Sequence, residues 1–464
     1  MMTRSEAPGP RGWPLAGVAF EFRRDPLHLL MQSVAEYGDV VQLPLFRLPL
    51  TPLEPSQRVY IVSNPAFVRQ ICLTNRHKYR THKQLVDRLK LVLNLDDGEL
   101  LTSVGEAWVH RKAALQPAFS ACAAWAKKTL DAARALGDRW DCLADGAVME
   151  VDVEMARFVT NVLASLFLGL ELDGADRDLA HHWYTMLDGF SRRMAVPLKF
   201  MLAIPHRANR EYSAALAVVE QRIHSLIRDR RQCPHRFSDM LSQWLTTARE
   251  KERTPDEKSI RDQIMLLLLA GRKNVSNALT WSCHLLAQHP DVAESIAREA
   301  DRHSTEPGPY VTAVQKEVLR LYPTAWLIAR RCLDDDTVGS YRIPQGATIF
   351  ISPYAIHRRE EFWPEPELFD PTRFLGDGAR RITADAYVPF GVGPRMCIGS
   401  AMTSWIMRIA LAVLCERFTF EPASNRTVRI KASSSLYPDG GLRLAIKKRQ
   451  PVAEREAVAV GSIQ

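Results

Sequence analysis

One cysteine stands in a setting built for chemistry. In PFGVGPRMCIGS, Pro389 to Ser400, Cys397 lies among glycines, two residues after Arg395. An apolar stretch that reads as a helix, Ala401 to Leu414, follows at once. A thiolate there gains from the backbone N–H groups of the turn and from the positive end of the next helix. Gly391, Gly393 and Gly399 let the backbone approach something flat and bulky, which side chains at those positions would prevent. The chain has eight cysteines, and for the other seven a small buried core residue is the expected role. No pair has the C-x-x-C spacing of a zinc site, and the length argues against a disulfide framework.

Two further groupings carry charge or hydrogen-bonding chemistry. Glu317 and Arg320, in KEVLRLYP, stand three apart on one predicted helix and can pair; in isolation such a pair is usually a solvated one of small consequence. Asp262 to Pro290 reads as a long helix with Ala270, Gly271, Lys273 and Asn274 at its centre. The Asn274 amide donates and accepts hydrogen bonds but cannot pass a proton as a hydroxyl does.

Phe390, Gly393, Arg395, Cys397 and Gly399 fill every fixed position of F-x-x-G-x-R-x-C-x-G and so resemble the heme-binding signature of the cytochrome P-450 superfamily. The resemblance implies heme b, with Cys397 as axial thiolate ligand to the iron. Glu317 and Arg320 then resemble the family's E-x-x-R, with Arg373 in FDPTRF as third member of a triad that locks the cysteine loop. For the heme propionates it implies Trp108, Lys112 where arginine is usual, with Arg111 and His110 alongside, Arg330 with Arg331 as the one-register alternative, and Arg395. On the opposite side of the heme, Ala270 and Gly271 match the A-G pair that leaves room for dioxygen. An acid and a threonine usually follow and relay protons; this chain has Lys273 and Asn274 there. A cation at 273 opposes proton flow unless burial depresses its pKa. Either the relay has drifted and water or a substrate hydroxyl supplies protons, or the enzyme works outside the dioxygen cycle. The charged run Lys78 to Leu101, with Arg80, His82, Lys83, Arg88 and Lys90, is either a solvated face or a surface that meets a carboxylate or a carrier-bound acyl group.

Several elements must bring these residues together. A Pro/Gly-rich start gives way to strand-like Val40–Phe46 and Val59–Val62, then to a mostly helical stretch from Pro65 to Leu321. Strand-like segments return at Tyr341–Ile343, Thr348–Ser352 and Leu442–Ile446. A small strand-rich part built from both ends of the chain argues for one mainly α (α+β) unit over residues 1–464, with the resemblance covering about 8–446 and a tail at 447–464. Lys and Arg number 61 against 53 Asp and Glu, a formal charge of +8 spread without a block; nucleic-acid binding would need a clustered stripe or module. The surplus suits docking of an acidic electron-transfer partner. No apolar run reaches membrane-spanning length. The expectation is a soluble, cytoplasmic, prokaryotic-type monomer without a membrane anchor, fed by a separate ferredoxin, flavodoxin-type or reductase donor. The leading reading is a heme-thiolate monooxygenase that inserts one oxygen atom from dioxygen into a medium-sized, partly apolar molecule in secondary metabolism. The alternatives are a peroxygenase, isomerase or dehydratase, and a heme-binding sensor or carrier without turnover.

Overall fold

The computed structural model describes residues 6–13, 16–45, 58–81, 90, 92, 100, 103, 105–120, 122–195, 202, 204, 206–233, 236–250, 255–302, 307–383 and 385–449. Among these, eleven helices are ten residues or longer: α1 Pro26–Tyr37, α2 Gly105–Leu115, α3 Cys122–Asp141, α4 Val151–Leu168, α5 Arg177–Ala195, α6 Arg207–Gln232, α7 Met240–Glu250, α8 Glu257–Gln288, α9 Pro290–Arg302, α10 Pro309–Leu321 and α11 Ser400–Arg417. Four of them close a ring. α8 packs on α4, α4 on α3, α3 on α11, and α11 back on α8, burying one large apolar cluster that includes Trp140, Phe158, Leu163, Trp281, Ile406 and Leu414.

The 32-residue helix α8 starts where Asp256 accepts a hydrogen bond from the Ser259 N–H at 2.8 Å, an N-cap that satisfies one otherwise free donor. It passes α4 closely because position 271 is glycine: a Cβ there would stand 3.0 Å from Leu163 Cδ1. α4 in turn stops at Gly169, whose φ of +66° is a left-handed C-cap.

The sheets join distant parts of the chain. Strands β1 (Val40–Leu43), β2 (Val59–Val62), β3 (Tyr79–Thr81), β5 (Ile328–Cys332) and β8 (Thr348–Ile351) form one sheet in the order β1-β2-β8-β5-β3. β2 and β8 run parallel and are buried at every position, which is why both read as unbroken apolar runs. β4 (Ala147–Glu150), β12 (Arg443–Lys448) and β9 (Phe418–Pro422) form a second sheet; β6 (Asp336–Val338) with β7 (Tyr341–Ile343), and β10 (Ile430–Ala432) with β11 (Leu436–Pro438), are hairpins.

The expected strands are present with small shifts: the first ends at Leu43, and the last extends to Lys448 and so takes two residues of the expected tail. β3 and β4 interrupt the stretch read as helical. Both are edge strands, and β4 alternates half-buried and exposed residues, so no apolar run marks it. The cysteine expectation needs correction too. Cys72, Cys283, Cys332 and Cys415 are buried, but Cys142 and Cys233 are exposed, because both follow the last turn of a helix. The side chain of Cys122 lies outside the described residues. No described helix is long and apolar enough to cross a membrane.

Candidate active site

The cysteine loop is a set of tight turns. Gly391 and Gly393 have φ of +77° and +80°, a region in which only glycine is unstrained. At Gly393 a Cβ would also collide with the Cys72 carbonyl oxygen. The Gly391 N–H donates to Val388 O at 3.1 Å, Met396 N–H to Gly393 O at 2.9 Å and Cys397 N–H to Phe390 O at 3.0 Å. Gly399 is the N-cap of α11, so Cys397 lies just ahead of that helix's free N–H groups.

Burial pushes the Cys397 thiol above its ordinary pKa, against the opposing pull of the Gly399 N–H and the Lys112 charge. The stabilisation expected from the turn and helix is therefore present but outweighed, since taking a thiolate out of water costs more than one N–H returns. Yet Cys397 is exposed. Its side chain thus keeps open surface although the surrounding protein disfavours its charged form. Ala270 behaves alike: it is exposed although Ile260 to Leu266, Leu268 and Leu269 before it on α8 are buried.

Three cations gather at the loop, and a fourth precedes one of them on α2. Lys112 Nζ donates to Pro394 O at 2.6 Å and lies 5.3 Å from the centroid of the Trp108 ring. The Arg395 guanidinium lies 4.6 Å from the same ring and donates to Ser103 O at 2.9 Å. Arg330 is depressed by burial, and Arg395 is pushed down to about 10 by burial and by repulsion from Arg330. The fourth, Arg111, has a buried Nε without a partner. None of the four forms an ion pair with a carboxylate among the described residues. Arg331, one residue along β5, pairs with Arg80 across the sheet while Arg330 pairs with Thr81; neighbours on a strand point to opposite faces, so 330 is the register that joins the cluster. Clustered like charges without counterions are costly, and a ligand bearing two carboxylates offsets them.

Behind the loop stands a fully buried ion pair. Arg320 meets Glu317 through Nε and Nη2, both at 2.7 Å, and spends its remaining donors on His357 O, Pro366 O and Leu368 O. Arg373 Nε lies 3.4 Å from Glu317 Oε1, and its Nη groups donate to Pro364 O and Glu365 O. His357 was not legible in the sequence as part of this group. Its Nδ1 bonds Arg320 O at 3.1 Å and its Nε2 accepts from the Val388 N–H at 2.9 Å, so one imidazole bridges the ion pair to the foot of the cysteine loop.

On α8 the four expected residues diverge. Ala270 is exposed, and a Cβ at Gly271 would stand against Leu163 of α4. Asn274 Nδ2 donates to Ala270 O at 2.9 Å. Lys273 Nζ meets Ser434 Oγ at 3.2 Å, and burial, with the Arg272 charge beside it, lowers its pKa from the ordinary lysine value. Of the charged run at 78–101, Arg80 sits exposed on β3, while His82, Lys83 and Arg88 lie outside the described residues.

The model of the family described as cytochrome P450 matches residues 7–445. The chain belongs to the cytochrome P450 family. Cyclooctatin synthase of Streptomyces melanosporofaciens is 30% identical over 95% of both chains. Cyclooctat-9-en-7-ol 5-monooxygenase of the same organism is 29% identical over 92% of this chain and 94% of that protein, and pentalenene oxygenase of Streptomyces avermitilis is 27% identical over 95% and 97%. The crystal structure of the cytochrome P450DA heme domain superposes with a TM-score of 0.81 at 22% identity, covering 96% of this chain and 98% of that one. This P450 is therefore an oxidoreductase of the monooxygenase kind, of secondary metabolism, with the P450 fold, a heme-thiolate iron cofactor, a small-molecule substrate and a redox partner.

Proposed function

We propose that this P450 holds heme b with Cys397 as the axial ligand and oxygenates a medium-sized, partly apolar molecule. The cations without an ion pair carry the reading: Arg330, Arg395 and Lys112, with Arg111 and Trp108 alongside, would take the two propionates, and none of the described residues supplies an acid to them. A thiolate-ligated heme iron supplies dioxygen activation. The protein's share is positional. Phe390 and the glycines at 391, 393 and 399 shape the loop, while Glu317, Arg320 and Arg373 fix its base. Ala270 leaves space at the opposite wall.

Asn274 spends its N–H on Ala270 O, so protons would reach the site through water or a substrate hydroxyl. Because neither relay position offers a hydroxyl, a peroxide-driven or non-oxidative reaction on the same heme is the second reading. By their names, one relative oxidises position 5 of an unsaturated alcohol and another oxygenates an alkene, and a substrate of that kind suits the reading. Electrons would come from a separate ferredoxin, flavodoxin-type or reductase partner in the cytoplasm, with the whole chain acting as one catalytic domain.

The test is a ferrous–CO difference spectrum on the reconstituted protein and on Cys397→Ala. The red-shifted thiolate band is expected in the first and not in the second; its absence from both removes the proposal. Product formed with a reductase system, against product formed with peroxide alone, then separates the two reactions.

A further inference from the structure

A cavity of about 460 Å³ opens where α3, the end of α4, α6 and the start of α7 meet. None of the described residues that line it belongs to the cysteine loop or to α8. Its size is that of small-molecule sites, which run from about 300 to 1,000 Å³.

Arg230 forms its buried wall. Nε and Nη2 meet Asp239 Oδ2 at 3.1 and 2.9 Å, and Nη2 also donates to Leu168 O at 2.9 Å. The guanidinium lies 3.8 Å from the centroid of the Phe237 ring, and Asp239 spends its other oxygen on the Ser242 N–H at 2.8 Å. This wall is therefore held from several sides, while Arg230 Nη1 has no partner among the described residues.

The other charges do not balance. Arg222 is half-buried and pairs with Asp176 at 3.1 Å. Lys128 is half-buried too, but its ammonium donates to a neutral carbonyl, Ser165 O at 2.9 Å, and forms no ion pair among the described residues. Burial lowers its pKa, against the pull of Asp239 and Glu171. An ammonium has three donors, so two remain. Arg236 and Asp229 also line the cavity, but both are exposed. Away from solvent the uncompensated charge is thus one cation, beside the buried side chains of Leu170 and Leu226. A cation taken partly out of water without a counterion is costly.

We propose that this cavity binds a small monocarboxylate with an apolar body, its carboxylate met by Lys128 and Arg230 Nη1 and its body laid against Leu170, Leu226 and Phe237. One negative charge matches the one uncompensated ammonium; a phosphate would bring a second charge with only the exposed Arg236 to meet it. The site is additional to the heme site and does not depend on the monooxygenase reading.

The test uses the ferric holoprotein with 4-phenylimidazole saturating the heme, so that probes do not report the substrate site. Titration calorimetry follows 2-naphthoate, its neutral isostere 2-naphthamide and 2-naphthyl phosphate in the wild type, Lys128→Met and Lys128→Arg. A hydrogen bond between charged groups corresponds to at least about a tenfold change in binding. The wild type is therefore expected to bind 2-naphthoate one to one and 2-naphthamide about tenfold more weakly. Lys128→Met should weaken 2-naphthoate about tenfold and leave 2-naphthamide unchanged, and Lys128→Arg should restore the carboxylate. If Lys128→Met loses both probes, the cavity has collapsed and Lys128→Arg decides: recovery of 2-naphthoate supports the site, and failure to recover it counts against it. No heat from 2-naphthoate, equal binding of acid and amide, unchanged affinity in Lys128→Met, or tighter binding of 2-naphthyl phosphate overturns the proposal.

Discussion

Glu317 and Arg320 are wholly buried, and each depends on the other. Breaking such a pair from one side leaves a bare interior charge and typically costs about 3–5 kcal/mol. Glu317→Gln should therefore lower the unfolding free energy read from a urea titration by that much and weaken heme retention, although residue 317 makes no hydrogen bond to the cysteine loop itself. His357 adds a pH dependence. Burial, with the charges of Arg320 and Arg358 nearby, lowers its pKa from the usual 6.5 to about 3. Between those values the unfolded chain binds a proton that the folded chain refuses, so the contribution is complete above about pH 6.5 and drains away as pH falls. Thermal or urea stability should drop by up to about 1.4 kcal/mol per pH unit across that window. In His357→Gln this slope should disappear, which titration of both proteins would show. The Glu317–Arg320 spacing and the five fixed loop positions were legible because each partner lies within a short motif. His357 was not: its two ring partners come from 37 and 31 residues away, and a lone histidine in AIHRRE carries no local signal.

At the scale of one helix, α8 shows why neighbours in sequence part company. Consecutive residues on a helix are about 100° apart, so the small pair and the relay positions that follow it face different surroundings: 270 is exposed, 271 meets α4, and 273 reaches the β10–β11 turn. Sequence supplies their order, not their facing, since the partners Leu163 and Ser434 lie more than a hundred residues away on either side. The closeness of α4 and α8 makes a direct prediction. Gly271→Val adds branched bulk against Leu163, 3.0 Å from where even a Cβ would sit, and overpacking of this kind costs about 1–3 kcal/mol; calorimetry should record the lowered Tm. The divergence also separates two changes at the distal wall. Asn274→Thr keeps a bond to Ala270 O through its hydroxyl and should raise the ratio of product formed to electrons consumed. Adding Lys273→Glu should undo part of that gain by releasing the turn at Ser434.

Taken whole, the molecule concentrates unpaired positive charge at one place. Arg330 and Arg395 repel one another and neither has an acid partner among the described residues. In the heme-free protein, Arg330→Gln should therefore be neutral or raise Tm slightly, whereas in the heme-loaded protein it should lower Tm and speed heme transfer to apomyoglobin. A matching loss in both forms would count against a propionate role. The union of both chain ends in one strand-rich part was visible in the sequence, because β2 and β8 are unbroken apolar runs. The pairing order was not, because β3 and β4 are short edge strands whose partners the sequence does not specify.

That parallel pairing of residues 59–62 with 348–351 has a consequence for biosynthesis. A nascent chain carries β2 for nearly three hundred residues before its partner leaves the ribosome, and a buried strand without a partner is an aggregation risk. Contacts so distant in sequence slow folding. The loop at Cys397, the proposed heme ligand, emerges later still, so with that ligand the cofactor would be captured only once synthesis is almost finished. The supply of heme during expression should then govern how much protein survives in soluble form.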